Sequence, residues 1–179
     1  MALNRFAARV IFRPTLRSDH AQCLLGTWLE ITQTGFALYL DETGKLSMRI
    51  GAGVRQVSSL TTDVTLVPGY WYEARASYDS TNGKMLVSHR CIERVHLTDH
   101  ERQVEHYASS PMVAEQRLLI GAWRISEDTV GAHFNGKLEA PALFSSAQAH
   151  ASTLISDWDF SLKQSGAEVI DTSPNRWHG

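Results

Sequence analysis

The chain has 179 residues, of which 43% are hydrophobic and 20% charged. These values are typical of one globular domain with its own core. The 17 basic and 19 acidic residues give a net charge of -2, which argues against a general binder of nucleic acid or anionic membranes. The N-terminal residues lack the apolar stretch of a secretory signal, and no window has the roughly 18 apolar residues of a membrane helix. We therefore expect a cytoplasmic protein.

The two cysteines, Cys23 and Cys91, are far apart in the sequence and form no CxxC motif. Without a secretion signal, the reducing cytosol favours thiols over disulfides. We expect both to be free thiols in or beside strands.

Residues 3–13 alternate with a period of two, which predicts a strand with one buried face. The apolar face consists of Phe6, Ala8, Val10 and Phe12. The opposite face carries three arginines: Arg5, Arg9 and Arg13. Two hairpins follow. One joins alternating runs through Asp41–Gly44, and the other joins residues 70–79 to 84–90 through Ser80–Gly83, whose Asn-Gly suits a tight turn.

Less regular stretches complete the chain. Further strands are predicted at residues 22–32, 54–60, 117–124 and 158–161. Residues 91–116 are polar and irregular and predict a long loop, which is often functional. Residues 145–154 are the best helix candidate.

Residues 132–144, AHFNGKLEAPALF, predict a closing strand whose register is open. Strict alternation places Leu138, Ala140, Ala142 and Phe144 on one face. A bulge within residues 136–139 would instead turn Pro141 and Leu143 inward. Pro141 also indicates an edge or a missing ladder bond.

About ten strands with short turns and almost no helix predict an all-β fold. The length favours a two-sheet antiparallel β-sandwich of the jelly-roll type. We expect residues 1–154 to form the sandwich, and residues 155–179 to form a strand and tail that pack on it or lead to a further part.

Four groups of residues could carry chemistry, and each also has a purely structural interpretation. A polar segment could bind a metal or simply be solvated, and its residues are His96, Asp99, His100, Glu101, Glu105 and His106. A second group could hold calcium or only cap turns, and consists of Asp41, Glu42, Asp79, Asn82 and Asn135. Asp157 and Asp159 have the spacing of a glycosidase acid pair, or face solvent.

Aromatic residues form the fourth group, which could stack on sugar rings or belong to the core. Its members are Trp28, Trp71, Trp123, Trp158 and Trp177, with Tyr70 and Tyr72. We expect a ligand or partner surface, if there is one, to include Trp71, Trp123, Trp158 and Trp177. No GxSxG, HExxH, Walker or dinucleotide motif occurs in the sequence.

Three stretches in order resemble the concanavalin A-like and laminin G-like jelly rolls. They are residues 35–51 (GFALYLDETGKLSMRIG), 67–85 (VPGYWYEARASYDSTNGKM) and 133–144 (HFNGKLEAPALF). The resemblance covers roughly residues 3–145 and implies the same sandwich. A lectin-like module that binds carbohydrate is one function that it implies.

A narrower likeness is to the large subunit of N,N-dimethylformamidase. FNGKLEAPALF, WDFS and the final Asp171-x-Ser-Pro-x-x-x-His-Gly resemble its sandwich module, although Ala140 and Ala142 replace basic residues there. The resemblance implies a non-catalytic packing module of an iron-dependent amidohydrolase, partnered by a catalytic part or by other subunits in a homo- or hetero-oligomer. The iron ligands belong to that catalytic part, so no catalytic residue and no cofactor is assigned to this chain.

Overall fold

The computed structural model describes residues 4–93, 101–108, 112, 117–149, 153–162 and 169–177. These residues form fourteen β-strands and no α-helix. The strands make two antiparallel sheets that pack face to face. The predicted all-β sandwich is therefore confirmed. None of the described segments is a helix long and apolar enough to cross a membrane.

Seven strands form the larger sheet, and every neighbouring pair is antiparallel. Their order across the sheet is β14 (Ile170–Asp171), β13 (Leu154–Asp159), β12 (Gly136–Phe144), β1 (Arg5–Pro14), β6 (Tyr72–Asp79), β7 (Lys84–Cys91) and β8 (Glu101–Tyr107). Strand β1 lies at the centre. The predicted division between residues 154 and 155 falls inside β13, whose Ile155 belongs to the core.

The smaller sheet has five strands, and a two-stranded ribbon lies beside it. Its order is β5 (Val57–Thr65), β4 (Lys45–Ala52), β3 (Thr34–Leu40), β2 (Gln22–Gly26) and β9 (Leu119–Ile120), and the ribbon is β10 (Trp123–Arg124) with β11 (Val130–Gly131). The predicted strand over residues 117–124 is thus two short strands. Gly121 separates them with a φ of +76°, a conformation that favours glycine.

The core lies between the two sheets, because apolar residues at alternate positions of the strands point into this space. The predicted inner face of β1 is confirmed, since its four residues are almost fully buried: Phe6, Ala8, Val10 and Phe12. The facing sheet contributes Phe36, whose ring lies 4.3 Å from that of Phe6 between centroids. Both cysteines are buried free thiols, as predicted.

Strand β12 has a bulge that decides which of its residues face the core. Ala140 and Pro141 together stand opposite Val10 of β1, because the pairing shifts from Arg9–Ala142 to Ile11–Glu139. Ala140 has a left-handed φ of +45° at this point. Leu143 therefore faces the core, and the expectation of strict alternation is wrong. The bulge lies at Ala140 and Pro141, just beyond the predicted residues 136–139.

Pro141 is not at a sheet edge, since β12 pairs with β1 on one side and β13 on the other. A bulge leaves a residue out of the ladder, so it tolerates a proline that has no N–H to donate.

Three other predictions are wrong for the described residues. Glu101–Tyr107, predicted as loop, is the edge strand β8, paired residue by residue with β7. Residues 145–149 form bends rather than a helix, and the strand β13 begins at Leu154 instead of Trp158. The other parts of the predicted loop, at 94–100, 109–111 and 113–116, and of the predicted helix, at 150–152, lie outside the described residues.

Arg49 of β4 joins three aromatic rings on the outer face of the five-stranded sheet. Its guanidinium carbon lies 4.3 Å from the ring centroid of Tyr39, 4.8 Å from that of Trp123 and 5.3 Å from that of Trp28. Glu30 accepts a 2.7 Å hydrogen bond from the Trp28 indole and lies 3.8 Å from Arg49. This cluster attaches the ribbon strand β10 to the sheet.

His89 of β7 is a polar side chain inside the sandwich, with only 1% of its surface exposed. Its ring meets Tyr72 edge to face at 6.1 Å, and neither ring nitrogen has a hydrogen-bond partner among the described residues. Burial, and then the positive charge of Arg102 on β8, lower the pKa of His89 to about 4, while Asp63 and Glu101 oppose the shift. His89 is therefore neutral in the folded protein at pH 7.

We expect His89 to make the fold sensitive to acid. The unfolded chain binds a proton at His89 near pH 6.5, whereas the folded chain does so only near pH 4. Stability should therefore fall as the pH drops through this window. Thermal unfolding at pH 7.5 and 4.5 should show a smaller loss of Tm for His89→Leu than for the wild type. His106→Leu, at an exposed position on β8, is the control, and equal losses in all three proteins would contradict the assignment.

We expect Arg49→Met to weaken the aromatic cluster without emptying much space. Loss of the cation–π contacts should lower the free energy of unfolding by about 1–3 kcal/mol. Urea denaturation measures the change. Arg17→Met, in an exposed loop, is the matched control, and equal stability of the two variants would show that the cluster contributes nothing.

Candidate functional site

The outer face of the seven-stranded sheet carries an open cleft with a volume of about 320 Å³. Strands β1, β6, β7 and β8 form its floor, and Ala147 and Ala149 contribute from the segment that follows β12. The volume lies at the lower end of the range for small-molecule sites. The core-facing residues of the same strands fix this floor from below.

One row of directly paired residues crosses the sheet through the cleft. The antiparallel registers place them in the order Asp157, Ala142, Arg9, Arg75, Ser88 and Gln103. The neighbouring row contains Ala7, Ser77 and Leu86, which are also paired in that order. The cleft exists because small side chains stand here between long ones.

Charged side chains on the cleft floor form ion pairs with one another. Glu73 Oε1 accepts a 2.8 Å hydrogen bond from Arg75 Nε and lies 3.7 Å from Arg90 Nη2. Arg9 Nη2 lies 3.5 Å from Asp157 Oδ1. The arrangement offers donors from three arginines beside the hydroxyls of Ser77 and Ser88, so it can bind a polar ligand by several hydrogen bonds.

The four predicted tryptophans do not form one surface. Trp123 is buried under Arg49 on the five-stranded sheet, whereas Trp158 is buried in β13 of the other sheet. Trp158 Nε1 donates a 3.1 Å hydrogen bond to the carbonyl of Trp177, which is 50% exposed. Trp71 is partly exposed, and its backbone N–H donates to Glu93. A role for Trp71 and Trp177 in contacting a partner stays a prediction.

The other predicted aromatic positions are structural. Trp28 and Tyr72 are almost fully buried, and the Tyr72 hydroxyl is hydrogen-bonded to the backbone of Val67. Tyr70 packs against the core. The rings of Trp28 and Tyr72 are therefore not open to a sugar, whereas Tyr70 is only partly buried.

Among the predicted calcium residues, Asp41 and Asp79 cap turns. Asp41 accepts hydrogen bonds from Thr43 and Lys45, and Asp79 accepts them from Thr81 and Arg5. Glu42 and Asn82 lie in the same turns as Asp41 and Asp79, and Asn135 directly precedes β12. The described part of the chain holds no group of three or more metal-binding side chains. Calcium binding stays a prediction.

Among the described residues, the remaining predicted acids and histidines form no catalytic arrangement. Asp159 caps the turn at Ser161, and that hydrogen bond lowers the pKa of Asp159, opposite to what a general acid needs. Asp157 instead faces Arg9. Of the predicted metal segment, Glu101, Glu105 and His106 lie on β8, and the other members lie outside the described residues: His96, Asp99 and His100.

Sequence reasoning missed the cleft residues as a site. The alternation in β1 did place Arg9 on a solvent face. Nothing in the sequence shows that β1 pairs with β6, or that Arg9 then stands opposite Arg75. The pairing of strands that are far apart in the sequence would have revealed the site, and no local pattern encodes it.

Comparisons with known proteins identify the fold. No protein-family model and no curated protein matches the chain. A candidate carbohydrate-binding protein from Bacteroides ovatus ATCC 8483 superposes with a TM-score of 0.69 at 14% identity, over 98% of this chain and 51% of that protein. The chain thus spans about half the length of that relative.

Two further structures are similar. The CBM40 of the Ruminococcus gnavus IT-sialidase, bound to α2,3-sialyllactose, gives a TM-score of 0.62 at 13% identity over 85% of this chain and 82% of that chain. The LG1–3 region of the laminin α2 chain gives 0.60 at 14% identity over 80% and 27%. None of these three is an amidohydrolase, so the expected link to dimethylformamidase finds no support here. The likeness shows that the chain has a jelly-roll β-sandwich fold.

Proposed function

We propose that the protein is a lectin-like module that binds carbohydrate in the cleft on the outer face of its seven-stranded sheet. The observation that carries the proposal is the paired row from Arg9 to Gln103, which offers hydrogen-bonding groups across a floor of small residues. Sugars present many hydroxyls, each of which donates and accepts. Arginine, serine, glutamine and glutamate side chains together supply both kinds of partner.

The fold supports this proposal. Two of the similar structures are a candidate carbohydrate-binding protein and a CBM40 bound to sialyllactose. A rigid sheet whose neighbouring strands fix each side chain is a suitable scaffold, because preorganised groups lose little freedom on binding.

The geometry favours binding over catalysis. Within the described residues, the cleft acid Glu73 is paired with Arg75 and Arg90, and Asp157, which lies in the row that crosses the cleft, is paired with Arg9. A glycosidase instead needs one acid with a raised pKa. A catalytic part, its iron, an oligomeric partner and a cytoplasmic location stay predictions from the sequence.

We expect Ser88→Trp to abolish or strongly weaken glycan binding, because the indole would fill the cleft floor. A glycan array should first identify a ligand for the wild type. Isothermal titration should then show an affinity at least about tenfold lower for the variant, equivalent to about 1.4 kcal/mol. Ser59→Trp places the same side chain on the exposed strand β5 of the other sheet and should bind normally. Absence of any bound glycan, or equal affinity of both variants, would contradict the proposal.

A further inference from the structure

We infer that the cleft selects sugars that carry an acid group, a carboxylate or a sulfate, and that Arg9 and Arg75 bind this group. The inference rests on the proposed function and adds the class of ligand. The cross-strand arrangement of the two arginines, the ion pairs that they form, and the greater exposure of Arg75 than of its partner Glu73 carry it.

Arg9 of β1 and Arg75 of β6 are direct partners across the sheet and lie on the same face. Like charges placed directly opposite one another destabilise a sheet. No carboxylate lies between the two arginines, because Asp157 is on the far side of Arg9, two strands away from β1. Glu73 pairs with Arg75 along its own strand. The arrangement therefore leaves two neighbouring positive groups for an anion to bridge.

The charge of Arg9 is poorly compensated in the free protein. Its single ion-pair contact among the described residues is the 3.5 Å approach to Asp157. Its Nε–H is buried and has no hydrogen-bond partner in the described structure. A buried charged donor without a hydrogen-bond partner raises the free energy of the folded protein. An anion bound near this guanidinium should therefore gain more binding free energy than one at an ordinary surface arginine.

Exposure decides which sign of charge a ligand meets first. The Glu73 side chain is 14% exposed, whereas those of Arg75 and Arg90 are 54% and 53% exposed. The carboxylate thus lies beneath the guanidiniums that it holds in place. Glu101, at the rim opposite Arg90, is the other acid that lines the cleft. A sugar acid group can reach the arginines while its hydroxyls contact Ser77 and Ser88.

Isothermal titration of the full chain with matched pairs of sugars tests the inference. The probes are 3′-sialyllactose and lactose 3′-sulfate against lactose, and trigalacturonate against its methyl ester. At least one acidic sugar should bind about tenfold or more tighter than its neutral parent. The carboxylate and sulfate arms identify which acid group is preferred.

Variants separate a local effect from total charge. Arg9→Gln and Arg75→Gln should each lower affinity for the preferred acidic sugar about tenfold and bring it close to that of the neutral parent. Arg5→Gln removes the same charge from the same face of β1, where Arg5 pairs with Asp79 outside the cleft. It should change affinity less than about twofold, and the Tm of each variant shows that it is folded.

The outcomes distinguish this inference from the proposed function. Equal binding of acidic and neutral sugars, still blocked by Ser88→Trp, would overturn the inference and leave the proposed function standing. Equal losses in Arg5→Gln and Arg9→Gln would also overturn it, because the effect would then come from total charge. Binding of no sugar at all would overturn both.

Discussion

The central strand β1 lies between β6 and β12, and the period of two along it decides what each face of the larger sheet carries. Its four large and small apolar residues pack against the other sheet, and burial of this kind is the main stabilising contribution in a sandwich. Arg5, Arg9 and Arg13 must then face outward. A slip of one residue would bury three arginines, so the core that holds the fold also fixes the charges on the outer face.

The bulge in β12 determines which residues of β12 and β13 face outward. It turns Leu143 into the core and Ala142 outward, and Ala142 in turn pairs with Asp157 of β13. Asp157 thereby comes to lie on the same face as Arg9 and within 3.5 Å of it. A left-handed Ala140 is the local cost of this arrangement, about 1–2 kcal/mol for a residue with a Cβ.

The sequence was sufficient for the sandwich and for most local strands, but not for the site. Alternation in β1, and the turns Asp41–Gly44 and Ser80–Gly83, identify strands because they act within about ten residues. The charged strand β8 was missed because it has little apolar alternation: as an exposed edge it needs none. The cleft depends on long-range pairings, such as Arg9 with Arg75, which no local pattern encodes. Two of the aromatic residues considered for a sugar surface, Trp28 and Trp123, instead pack around Arg49, which no local pattern shows.

Binding on the outer face of the seven-stranded sheet should appear in amide chemical shifts, which report the location of a ligand residue by residue. A ¹⁵N NMR titration with the tightest glycan from the array should perturb Arg9, Arg75, Ser77 and Ser88 on adjacent strands. The outer face of the five-stranded sheet, around Arg49, should be unchanged. Shifts confined to that second face, or to the turns at Asp41 and Asn82, would contradict a ligand site on the seven-stranded sheet.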